Sequence, residues 1–91
     1  MNKQELIRII AADAELSQRD ATVLLDCALE TIMSAVAAGE KVQLVGFGSF
    51  EARERSSRNG YNINTGKTFE IPSSVMPVFR PGVLFKEKVA R

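Results

Sequence analysis

Arg53, Arg55, Arg58 and Lys67 flank the stretch Y-N-I-N-T at 61–65, where one large aliphatic residue, Ile63, stands between two asparagines. Cations spaced along an extended segment suit phosphate oxygens. The amides of Asn62 and Asn64 can meet the acceptor edges that base pairs show in a minor groove. An apolar side chain at the end of such a segment can wedge between base pairs and kink the duplex. The surrounding sequence is polar and bracketed by Gly60 and Gly66, so it belongs in solvent, where an isoleucine has little other use. The alternative for Arg53 and Arg55 is local pairing with Glu51 and Glu54 as solvated strand charges, and for Lys67 a free surface cation. For Ile63 the alternative is simple exposure.

Other chemistries are narrowed by composition. The 91 residues contain no histidine and a single cysteine, Cys27. Cys/His zinc sites and Ser-His or Cys-His nucleophile pairs are therefore excluded within one chain. Carboxylates such as Glu51 and Glu54 have no histidine, metal cluster or phosphate-cradling glycine loop beside them, so no enzyme is expected. Neither a cofactor nor a metal is implied. The lone cysteine and the lack of a signal-like apolar run after M-N-K-Q-E-L suggest a reduced, cytoplasmic setting, and no window is apolar enough to span a membrane.

The net charge of +1 hides an asymmetry. Residues 1–46 hold four basic and seven acidic side chains, a net of −3, and residues 47–91 hold eight against four, a net of +4. A basic half joined to an acidic half suits a polyanion gripped on one side.

The elements that must position these residues follow from the apolar pattern. Asn2 with Glu5 reads as a capping box, and Leu6, Ile7, Ile9, Ile10 and Ala14 give a helical face. Ser17 with Asp20 marks a second helix start, and Val23, Leu24, Cys27, Ala28, Leu29, Ile32, Ala35 and Val36 recur at helical spacing up to a stop at Gly39. The arc is too wide for one partner helix to cover, so part of it is expected to face another chain. Cys27 lies on it and is expected to be a buried structural thiol. K-V-Q-L-V then alternates, Gly46 to Gly48 turn the chain, and a second extended run carries on to Arg58. Thr68 to Ile71 is the return strand, ended by Pro72. The result is a two-stranded ribbon with nothing to bury at its far end. V-M-P-V-F resumes the body, and Gly82 precedes a short helix.

The motifs G-F-G-S-F at 46–50, N-K-x-E-L at 2–6 and F-R-P-G at 79–82, with Arg55, Arg58, Gly60, Asn62, Thr65 and Gly66, resemble the HU and integration host factor family of bacterial DNA-bending proteins over the whole chain. The resemblance implies an α+β fold as an intertwined dimer: an N-terminal two-helix hairpin, a three-stranded antiparallel sheet extended into a β-ribbon arm, and a short C-terminal helix. It places a helical dimerisation part at 1–40, sheet and arm at 41–79 with the tip at about 55–72, and the last helix at 82–91, all in one domain over 1–91. It implies a nucleoid-associated architectural protein that binds double-stranded DNA with low sequence preference through minor-groove arms, bends it and condenses it. The partner chain is a second copy, with a heterodimer as the alternative.

The implied DNA contacts are Lys3, Arg53, Arg55, Arg58, Tyr61, Asn62, Ile63, Asn64, Thr65, Lys67, Arg80 and Lys86, with Ile63 as intercalating wedge. Asp26 can compete with DNA for Lys3. Phe47, Phe50 and Phe79 are expected in the core. Three departures stand out: Tyr61 and Ile63 replace the arginine and proline usual at the tip, and Val83 replaces a frequent lysine. Loss of a cation per arm implies weaker non-specific binding than a strongly basic relative shows. Two other readings fit: a sequence-specific bender like integration host factor, and a scaffold dimer whose arm tip docks on another protein.

Overall fold

The computed structural model describes residues 1–56, 58–71 and 73–91, with the side chains of Arg58, Phe69, Glu70 and Ile71 outside the described set. The chain divides into two compact units, Met1–Ser34 and Ala35–Arg91.

The first unit is a helical hairpin. Helix α1, Lys3–Asp13, starts at Asn2, whose Oδ1 accepts the Glu5 backbone N–H at 2.9 Å. It stops in a left-handed turn: Glu15 takes φ 56°, Leu16 N–H donates to Ala11 O at 2.9 Å, and Glu15 N–H donates to Ala12 O at 3.4 Å. That is a Schellman arrangement with glutamate where glycine is the usual occupant. Helix α2, Gln18–Ala37, follows at once, with the Ser17 hydroxyl accepting the Asp20 N–H at 3.0 Å. Both starts agree with the sequence reading.

The core of this unit is small. Ile7, Ala11 and Ala21 are buried, with Ile10 and Leu25 packed against them. Val23, Leu24, Leu29 and Met33 on α2 stay between 43% and 60% exposed. The expectation that Cys27 is buried fails for the single chain, where it is exposed. The reason is angular: two residues past Leu25 is about 200° around the helix, off the strip that α1 covers.

The second unit holds a three-stranded antiparallel sheet in the order β1–β2–β5, with β1 Val42–Leu44, β2 Gly48–Arg55 and β5 Ser74–Pro81, followed by helix α3, Val83–Val89. Between β2 and β5 lies a separate two-stranded ladder, β3 Arg58–Asn62 with β4 Lys67–Ile71. Strand β5 carries Pro77 and Pro81, and it tolerates them because it is an edge strand. The sequence reading carried the return strand only from Thr68 to Ile71; β5 extends the return leg well beyond it. Pro72, read as the end of that strand, lies outside the described residues.

Phe50 faces Phe79 across the β2–β5 ladder with ring centroids 4.8 Å apart, and Phe47 stacks on Phe85 of α3 at 5.4 Å. Gly48 makes this packing possible. At φ +156°, a Cβ there would stand 2.5 Å from Arg80 O and 2.6 Å from the Phe79 ring. The expected aromatic core is present, yet Phe47 remains 46% exposed. The α+β arrangement of hairpin, three-stranded sheet, ribbon and short last helix is the one expected from the sequence.

Candidate nucleic-acid interface

The cationic side chains are sorted by the two-residue period of β2. Phe50, Ala52 and Glu54 take one face of the β2–β5 ladder, opposite Phe79, Pro77 and Val75. Ser49, Glu51, Arg53 and Arg55 take the other, opposite Arg80, Val78, Met76 and Ser74. Arg53, Arg55 and Arg80 therefore share the face turned away from the phenylalanines. Arg53 and Arg55 are exposed. Neither joins an ion pair among the described residues: Glu51 is taken by Arg80 at 3.2 Å, and Glu54 belongs to the opposite face. The local-pairing alternative is thus not the arrangement found.

The β3–β4 ladder keeps the register of β2–β5. Arg55 faces Ser74, and three residues further along each leg Arg58 faces Ile71. Tyr61 pairs with Thr68, and Asn62 pairs with Lys67, so Asn62 and Lys67 share one face and Tyr61 takes the other. Tyr61 is 63% exposed. Sequence reading placed Tyr61 and Asn62 at the arm's end; both belong to β3, and the turn proper is 63–66. The side chain of Arg58, a proposed phosphate contact, lies outside the described residues.

Four residues, Ile63, Asn64, Thr65 and Gly66, connect the strands. Gly66 N–H donates to Asn62 O at 2.8 Å, and Gly66 takes φ +70° to let Lys67 rejoin the ladder. Asn62 Oδ1 accepts the N–H of Asn64 at 2.9 Å and, more weakly, that of Thr65 at 3.4 Å. Thr65 Oγ1 lies 3.4 Å from the Lys67 nitrogen. With the turn closed this way, Ile63 projects freely at 87% exposure.

Lys3 lies in the helical unit, its Nζ 2.6 Å from Asp26 Oδ1, which is the pairing expected from the sequence. Lys86 is an exposed residue of α3, and Val83 is 68% exposed. Sequence reasoning did not find that Arg80 is held by Glu51 or that Asn62 closes the turn. The first needs the β2–β5 register; the second was signalled by asparagine two residues before a backbone amide in a glycine-ended loop.

Residues 1–90 match the family described as bacterial DNA-binding protein. The chain belongs to that family. DNA-binding protein HU 1 of Bacillus subtilis is 51% identical over 90 residues, covering 99% of this chain and 98% of its own. Among solved structures, Anabaena HU in a cocrystal with DNA superposes with a TM-score of 0.91 at 51% identity, over 99% of this chain and 98% of that one. HU from Thermotoga maritima gives 0.69 at 42% identity, over 98% of each chain. The resemblance drawn from the motifs is therefore borne out over residues 1–90 of the chain. No helix of the described residues is long and apolar enough to cross a membrane.

Proposed function

We propose that the protein is a homodimeric architectural protein that binds duplex DNA with little sequence preference, bends it and organises the nucleoid in the cytoplasm. The observation that carries this reading is the ribbon: exposed arginines along one face of its stem, and a closed turn at its end that exposes one aliphatic side chain. Arg53, Arg55, Arg58 and Lys67 supply phosphate contacts, Tyr61, Asn62, Asn64 and Thr65 line the groove, and Ile63 enters a base step. Lys3, Arg80 and Lys86 meet flanking DNA. Membership of a bacterial DNA-binding family and similarity to an HU solved with DNA support it.

The dimer is supported by what one chain leaves uncovered. Only Ile7, Ala11, Ala21 and Val36 are buried apolar residues among those described, while α2 and the Phe47 edge of the sheet remain open. A second copy would cover both. A role in binding and bending DNA asks for no catalysis, in keeping with relatives named as DNA-binding proteins.

Energetically, phosphate neutralisation and wrapped surface offset the elastic cost of the duplex, on the order of 1–6 kcal/mol for a 40–90° bend. A nick or gap removes much of that cost. Gel shifts on intact, nicked and gapped duplex at several salt concentrations test the reading. Bending requires tighter binding to the interrupted duplexes, and equal binding to all three counts against it.

A further inference from the structure

Ile63 is 87% exposed, so no packing orients it. Isoleucine, unlike proline, does not fix its own φ. Something else must hold the backbone at the tip, and the turn's hydrogen bonds identify it. Both acceptors of Asn62 face inward. Its carbonyl oxygen takes Gly66 N–H at 2.8 Å, and its Oδ1 takes Asn64 N–H at 2.9 Å and Thr65 N–H at 3.4 Å. The bond to Asn64 spans Ile63 and forms an Asx turn around it. The Ile63 N–H takes part in none of the turn's bonds among the described residues.

We infer that Asn62 is a positioning residue, which sets the direction in which Ile63 leaves the arm. With Oδ1 committed to the turn, the carboxamide keeps its Nδ2 donors, which can still meet minor-groove acceptors, while its oxygen is spent on holding the backbone around Ile63. This inference rests on the reading of Ile63 as the wedge. It predicts that the effect of Asn62 on DNA bending passes through its neighbour.

The test combines two measurements on the intact dimer. In the free protein, backbone amide exchange at Asn64 and Thr65 should quicken roughly fivefold in Asn62→Ala, from loss of one ordinary hydrogen bond. It should return toward the original rate in Asn62→Asp, which keeps an acceptor. On a nicked duplex labelled at both ends, Asn62→Ala should lower the bend angle when Ile63 is present and add nothing in the Ile63→Ala background. An equal loss of affinity from Asn62→Ala in both backgrounds would show a direct contact and overturn the inference. Unaltered amide exchange in Asn62→Ala would overturn the turn bond without touching the wedge. An unchanged bend in Ile63→Ala alone would remove the wedge, and with it any wedge for Asn62 to position.

Discussion

Arg80 Nε lies 3.2 Å from Glu51 Oε1, a diagonal contact across the β2–β5 ladder in which Arg80 itself faces Ser49. The guanidinium is thus pre-oriented on the arginine face of the sheet, but its charge is partly spent on a carboxylate. To meet a phosphate it must share or leave Glu51. Glu51→Gln should release it. Binding should tighten at low salt, and the slope of log affinity against log salt should steepen by up to about 0.9 for each further phosphate neutralised. Titrations at four or more salt concentrations measure this; a parallel slope would mean that Arg80 does not reach DNA.

Lys3 and Asp26 repeat the theme in the helical unit, 2.6 Å apart with both side chains about half exposed. Asp26→Asn should cost the fold only about 0.2–1 kcal/mol, because exposed pairs contribute little. It should also strengthen DNA binding by freeing Lys3. Lys3→Ala should weaken binding and flatten the salt slope. Urea unfolding and filter binding on the same variants separate the two effects, and weaker binding by Asp26→Asn would contradict the competition.

Tyr61 offers a gain-of-charge experiment. It is 63% exposed on β3, opposite Thr68. Tyr61→Arg should raise low-salt affinity and add about 0.9 to the magnitude of the salt slope per phosphate that the new cation neutralises. An unchanged slope would place residue 61 away from the phosphates.

Glu15 holds φ 56° at the end of α1, a conformation that costs a non-glycine residue about 1 kcal/mol or more. Glu15→Gly should relieve this while keeping the Leu16 to Ala11 bond, stabilising the protein by roughly 0.5–1 kcal/mol after glycine's own entropic cost. The denaturation midpoint should rise with no change in DNA affinity. A lower midpoint would mean that the glutamate side chain contributes more than its backbone strain removes.

The legible features of this chain were the local ones. Asn2 and Ser17 each cap a helix through an amide three residues away, so sequence spacing alone locates them. The alternation of Arg53 and Arg55 put them on one strand face wherever that strand lay. What escaped depends on groups distant in sequence or on conformation without a residue signature. The Glu51–Arg80 pair appears only once β2 and β5 are in register. Glu15 adopts a glycine-like φ without being glycine, and the reach of β5 along the edge of the sheet, through Pro77 and Pro81, shows only once β2 and β5 are paired. Cys27 was placed by periodicity on an apolar stripe, but burial depends on what covers the stripe, and α1 covers a different strip. The part Asn62 plays in closing the turn depends on the backbone conformation of 63–66, which residue types alone do not fix.

The bend that the arm imposes is the most direct measure of the central claim, that a closed cationic ribbon delivers Ile63 into a base step. Energy transfer between the ends of a nicked duplex, at saturating protein, gives that angle for the original chain and for Ile63→Ala. The expected result is a fall on the order of 20° or more in the alanine variant, with the salt slope of binding preserved, since single-step wedges kink DNA by about 20–90°. The same angle in both proteins would contradict it.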